Sequence, residues 1–442
     1  MRVESVVVRK LFGIYTHEVP LNREARITII YGPNGVGKTT LLRMIDHLFG
    51  RSFSSLLRVT FAEFVVNFAD TTSVSVRKLP DDVSRHEARP INTDPGPATI
   101  IVNEPSGTQA FDWGPPEVDP PFPFGVIERE LPLRRIGPSA WRDRRGRRLS
   151  LQDVVEQYAD DFPPLLDLKG SPEPAVAELL DRLTVHFIET QRLLRVIHDP
   201  ETYGRPQDGV ASAVVQHAKE LAGQIQRDLA RSAQLSQQLD RTFPNRLLTP
   251  SNRPPPPPEA IRERFALHND RRNRLMEAAL LDMGEEVPLP ERELDDPERR
   301  ILWTYLEDVE QKLSVFDRLL SRIELFKEII NSRFVNKRIL VDNQGGFRFE
   351  TDQGLLLSPD DLSSGEQHEL VLTYHLLFRA KEGSLVLIDE PEISLHVTWQ
   401  QKFLEDVERI ARVADLDFIL ATHSPQVIHD RWDLAVALKA RG

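Results

Sequence analysis

The chain has no cysteine among its 442 residues. Disulfides, thiol nucleophiles, iron–sulfur clusters and every zinc site that needs a thiolate are therefore excluded. It also has no run approaching the roughly 18 to 20 apolar residues of a membrane span. Met1-Arg2-Val3-Glu4 opens without the apolar stretch of a signal peptide, so a cytoplasmic protein with no membrane partner is expected. An excess of positive charge is missing as well: 56 Lys and Arg stand against 68 Asp and Glu, a net charge of −12. That charge opposes nonspecific coating of DNA by the whole surface, and any nucleic-acid contact is expected to come from a local basic patch. What the chain does have is core-forming material, 40% hydrophobic residues over a length that suits two or three domain-sized units.

The β-branched run Arg26–Tyr31 reads as a buried strand. It leads straight into Gly32-Pro33-Asn34-Gly35-Val36-Gly37-Lys38-Thr39-Thr40, the pattern G-x-x-x-x-G-K-T, and then into an apolar stretch, Leu41–Phe49, with helical periodicity. Glycines at this spacing let backbone N–H groups curl round a β-phosphate, and the helix N-terminus adds partial positive charge. Lys38 can then reach the β- and γ-phosphates while the Thr39 hydroxyl can ligate Mg²⁺.

A second buried-strand run, Ser384–Ile388, ends in Asp389-Glu390-Pro391-Glu392. Adjacent carboxylates at a strand end point in different directions, so Asp389 is the metal candidate and Glu390 the candidate general base that orients water for in-line attack. Upstream, Leu362-Ser363-Ser364-Gly365-Glu366-Gln367 precedes a helix expected from about His368 to Arg379. Ser and Gly at a helix start make an anion site. A third strand, Asp417–Thr422, is followed by His423-Ser424-Pro425, which makes His423 a candidate γ-phosphate sensor.

Together, Gly32–Thr39, Leu362–Gln367, Leu385–Glu390, Ser394-Leu395-His396 and Ala421-Thr422-His423-Ser424 resemble the ATPase head of the ABC superfamily. In order they are similar to its Walker A loop, signature, Walker B strand, D-loop and switch histidine. The nearer resemblance is to the soluble SMC-like and OLD-like branch, whose heads are split by a helical insertion. It implies an α/β fold, an ABC-type P-loop NTPase head with an antiparallel β-subdomain and a helical insertion, with ATP and Mg²⁺ as cofactors. It further implies that two heads sandwich two ATP molecules, Ser363, Ser364, Gly365 and Glu366 of one capping the γ-phosphate held by the other. Val185–Leu193 fits the Q-loop of that branch, which makes Gln191 a Mg²⁺ and water contact. The signature departs from the transporter form at Ser364, in place of Gly, and at Glu366, in place of Gln.

The expected division is an N-terminal ATPase lobe over 1–195, a helical arm over 196–336 and a C-terminal lobe over 337–442. Short β-like runs between 60 and 115 read as an antiparallel β-subdomain. Seven arginines between Arg134 and Arg148 surround Trp141, a patch suited to DNA or an acidic partner and equally to a solvated loop. Apolar residues at helical spacing predict long amphipathic helices from about Ala211 to Leu239 and from Pro297 to Phe334. Between them Pro254–Pro258 is a run no helix can contain. Lys337–Phe349 reads as a hairpin. Few residues follow His423, which leaves no room for the Toprim nuclease of full OLD-family enzymes, so an effector is expected on another chain. The expected function is that of an oligomeric ATPase that senses infection or regulates a separate nuclease or toxin, similar to the ATPases of PARIS- and Septu-type anti-phage systems. The alternative is a RecF-like or SMC-like repair ATPase that clamps DNA.

Overall fold

The computed structural model describes residues 1–78, 97–114, 124–137, 140–143, 146, 148–158, 173–189, 208–249, 254–282, 288–393 and 397–439. In chain order the first elements are β1 (Val3–Leu11), β2 (Tyr15–Pro20), β3 (Ile27–Tyr31), α1 (Lys38–Phe49), α2 (Phe53–Arg58), β4 (Glu63–Phe68), β5 (Ser73–Lys78), β6 (Ala98–Glu104) and β7 (Gly107–Trp113). There follow α3 (Phe124–Glu130), β8 (Leu133–Gly137), β9 (Ala140–Asp143), β10 (Arg148–Ser150), α4 (Leu151–Tyr158), α5 (Pro174–Asp181) and β11 (Val185–Glu189). Four helices come next, α6 (Asp208–Leu248), α7 (Pro258–Glu277), α8 (Asp296–Ser314) and α9 (Asp317–Arg333). The last elements are β12 (Lys337–Asp342), β13 (Gly346–Thr351), β14 (Leu356–Leu357), α10 (Ser364–Tyr374), β15 (Leu385–Asp389), α11 (Val397–Val413), β16 (Asp417–Thr422), α12 (Pro425–Ile428) and β17 (Ala435–Ala437).

A five-stranded parallel sheet, in the order β11-β15-β16-β3-β17, carries the phosphate-loop strand and the carboxylate strand with β16 between them. Its three central strands, β15, β16 and β3, are largely apolar because both their faces are covered. Side chains alternate between two cores, as the two-residue period of a strand requires. Ile29, Ile388 and Leu420 join one, with residues of α9 to α11. Ile30, Leu387 and Ile419 join the other, with Leu41, Leu42, Ile45 and Leu48 of α1. That second core also takes Val6, Val66, Val74 and Ile100 of the six-stranded antiparallel sheet, ordered β2-β1-β4-β5-β6-β7; β4 to β7 are the expected β-subdomain, and β1 and β2, outside the expected 60–115, extend it. The fold is α/β: a parallel sheet that carries the glycine loop, an antiparallel β-subdomain, and a helical insertion between β11 and β12.

Several local expectations are corrected. The arginine-rich segment forms a small antiparallel sheet, β10-β9-β8, and Trp141 is fully buried among Leu133, Leu149 and Val154. It therefore builds a core and presents no ring to nucleic acid. Pro297–Phe334 is two helices, parted at Val315 and Phe316, where Phe316 turns fully inward. Pro258 starts α7, because a proline at the first helical position gives up a donor that has no partner there anyway. The helix expected from His368 begins at Ser364 and passes into a π-turn over His375–Arg379. The hairpin is present, with Lys337 to Asp342 paired antiparallel to Thr351 to Gly346.

Candidate functional site

The carboxyl ends of β15, β16 and β3 lie side by side, with Asp389 opposite Ala421 and Thr422 opposite Tyr31. Loops leaving this edge of an open parallel sheet are where such folds hold ligands. Between β3 and α1 the chain turns through Gly32, Gly35 and Gly37, the last two at φ 83° and 97°. Glycine is needed at 37 on two counts: that φ belongs to the left-handed region, and a Cβ there would stand 2.5 Å from a Leu11 methyl. His17 on β2 is buried with Nε2 2.8 Å from the Val36 carbonyl, which pins the loop to the antiparallel sheet.

Lys38, at the start of α1, is almost wholly buried, and its Nζ donates to the carbonyls of Gly32 at 2.9 Å and Pro33 at 3.2 Å. Nδ1 of His423 lies 3.3 Å from the same nitrogen. Burial lowers the Lys38 pKa, against the opposing pull of Glu390, Asp389 and Glu392. Thr39 Oγ1 donates to Asp389 Oδ1 at 3.0 Å. Glu390 holds a left-handed φ of 50°, its N–H donates to the Ala421 carbonyl at 2.8 Å, and one carboxylate oxygen lies 3.9 Å from His423 Nε2. Lys38, Thr39, Asp389, Glu390 and His423 thus meet at one edge. One carboxylate and one hydroxyl side by side are the donor set Mg²⁺ takes when phosphate oxygens and water complete its octahedron, so Thr39 and Asp389 fit that ion.

Ser363 caps α10 in a reciprocal box: Glu366 accepts from the Ser363 N–H at 2.9 Å and hydroxyl at 2.8 Å and pairs with Lys337 Nζ at 2.9 Å. Burial pushes the Glu366 carboxyl up, but Lys337 and Ser363 outweigh it and hold the group below its usual range. A Cβ on Gly365 would meet nothing within 4 Å, so that helix start is open. Gln191 and the segment Ser394-Leu395-His396 lie outside the described residues, as do Arg144, Arg145 and Arg147. β11 ends at Glu189, in register with Asp389 and two positions before Gln191.

Two residues of this edge carried no assigned role in the sequence. Glu392 accepts from the His423 N–H at 2.8 Å, and its other oxygen is buried without a partner among the described residues. Gln400 donates to the Glu392 carbonyl at 3.0 Å and accepts from Ser424 at 3.4 Å, tying the carboxylate turn to the histidine turn. The acidic turn itself was a signal for Glu392; Gln400 had none.

A glycine loop between a parallel strand and its helix, a carboxylate pair on a strand once removed, and a histidine on the strand between form a nucleotide-binding site of the P-loop class. The family model described as "AAA domain, putative AbiEii toxin, Type IV TA system" matches residues 27–100 and 231–429, more than half of the chain, and the chain belongs to that family. No curated protein matches. Among solved structures the chain is similar to the Smc head domain with an extended coiled coil from Pyrococcus furiosus, bound to the C-terminal domain of ScpA, at 14% identity and TM-score 0.34, over 99% of this chain and 94% of that one. The SMC head domain from Thermotoga maritima is similar at 10% identity and TM-score 0.34, over 98% and 92% of the respective chains.

Proposed function

We propose that the protein binds ATP with Mg²⁺ at the edge formed by Gly32–Thr40, Asp389, Glu390 and His423, hydrolyses it, and uses ATP-joined heads to sense infection or regulate a separate effector nuclease or toxin in anti-phage defence. The observation that carries the ATPase part is the meeting of Thr39 with Asp389 and of Lys38 with His423, across 350 and 385 residues of sequence. In this reading the loop N–H groups hold the β-phosphate and Lys38 reaches the β- and γ-phosphates. Thr39 and Asp389, joined by Gln191, would hold Mg²⁺, whose charge neutralises the phosphate oxygens when bound. The Glu390 carboxylate orients a water and takes its proton as the oxygen bonds to the γ-phosphorus and the β–γ bridging P–O bond breaks. His423, within reach of both Lys38 and Glu390, contacts the γ-phosphate. Ser363, Ser364, Gly365 and Glu366 of a second copy cap that phosphate, with residues 1–195 and 337–442 as the two lobes and 196–336 as the arm.

The family description, which names a putative toxin and a TA system, supports a defence setting with a second component. A second reading, a head that clamps DNA, is favoured by one feature: Arg134, Arg142 and Arg148 stand opposite one another across β8, β9 and β10, all exposed. The test is recovery of tagged Glu390→Gln protein from its native host with ATP and Mg²⁺ retained, followed by mass spectrometry and nuclease treatment. A stoichiometric nuclease or toxin is expected. DNA with repair proteins, and no such effector, would overturn the defence reading in favour of the clamp.

A further inference from the structure

Away from the ATP edge, α6, the end of α8 and the start of α9 enclose an open groove of about 750 Å³. Two arginine pairs, each spaced by one helical turn, face into it: Arg227 and Arg231 on α6, Arg318 and Arg322 on α9. Like charges at this spacing destabilise a helix, and here two such pairs oppose each other. Among the described residues the counter-charge is short. Arg318 and Arg322 share a single carboxylate, Glu382, at 2.8 and 3.0 Å. Arg322 is largely buried, and its Nε has no hydrogen-bond partner among the described residues. Asp228 is the other carboxylate in the groove, and burial raises its pKa despite Arg231, Arg227 and Arg318. Gln234 and Gln238 add neutral donors along the wall.

We propose that this groove is a second ligand site, for a small molecule that carries a chain of phosphates. Guanidinium forks pair with phosphate oxygens two bonds at a time, and four of them match a ligand with several phosphates better than a single carboxylate. The volume is that of a small-molecule site.

The test uses full-length Lys38→Ala protein, so that the loop at Gly32–Thr40 no longer competes, titrated calorimetrically with inorganic tripolyphosphate and, separately, with ATP. Binding is expected in Lys38→Ala and about tenfold or more weaker in Lys38→Ala/Arg227→Ala/Arg231→Ala, two exposed positions whose loss leaves the Glu382 pairs intact. Equal affinity for the two probes assigns the site to the phosphate chain alone, and tighter ATP binding assigns it to a nucleotide. No binding to Lys38→Ala, or unchanged binding after the arginines are removed, overturns the proposal. So does a duplex oligonucleotide that displaces both probes through the same arginines.

Discussion

Replacing Lys38 with Ala removes a cation that the structure places between the glycine loop and the carboxylate turn. Its ammonium already donates to two loop carbonyls and lies beside His423, so a short movement of the side chain carries it to bound phosphates. A hydrogen bond to a charged group contributes about 1.5–3 kcal/mol. Loss of contacts to two phosphates therefore costs about 3–6 kcal/mol, or about 10² to 10⁴ in affinity. Folding should suffer far less. A buried ammonium carries a desolvation penalty, visible in its lowered pKa, and this offsets much of what its own hydrogen bonds contribute, so the unliganded protein should change by less than about 2 kcal/mol. The assay is fluorescence anisotropy with a labelled ATP analogue and Mg²⁺, paired with thermal unfolding of the unliganded protein. Affinity within about threefold of the wild type, in a folded variant, would refute the assignment of the phosphate site.

Two further outcomes follow from other parts of the molecule. His217 stacks on Tyr374 at 4.6 Å between centroids, and burial, then Arg379, lowers its pKa from 6.5 to about 4, with neighbouring His375 lowered to about 3. Below pH 6.5 the unfolded chain binds protons that the folded one refuses, so stability should fall by roughly 3 kcal/mol for His217 alone as pH drops from 7 towards 4. Urea unfolding across that range should show the loss, and His217→Phe, which keeps the stack, should make it shallower by the share of His217 while His375 keeps its own; an unchanged pH profile in the variant would contradict the reading. Ser363→Ala removes the cap of α10 and should cost about 1 kcal/mol of stability. It should also weaken ATP-driven dimerisation in analytical ultracentrifugation without changing nucleotide affinity per head, and intact dimerisation would remove Ser363 from the sandwich.

The parallel sheet and its edge were legible because both depend on local signals. Ile27–Tyr31, Leu385–Asp389 and Asp417–Thr422 are apolar runs buried on both faces, and the glycine loop and carboxylate pair follow from single short stretches. α7 was not legible. It buries only Ile261, His268 and Leu275 and is held instead by partners on other helices: Arg264 pairs with Glu310 and lies over the Trp303 ring, and Arg274 pairs with Glu324. No periodicity within the segment reports such pairs. Trp141 misled for the opposite reason. Arginines at 134, 142 and 148 alternate with inward-facing Leu133, Trp141 and Leu149, so a strand pattern was hidden inside a run of charge. The links from Glu392 to Gln400 and His423 span 8 and 31 residues and depend on how two strand ends meet, which only the folded chain shows.

The most direct test of the central claim is phosphate release from ATP by purified full-length protein and its Glu390→Gln variant, with ATP affinity measured on both. Glu390→Gln should bind ATP as the wild type does and turn over about 10² to 10⁴ times more slowly, the range that a positioned general base supplies. Hydrolysis by the variant at the wild-type rate, or none by the wild type with Mg²⁺ present, would contradict the account.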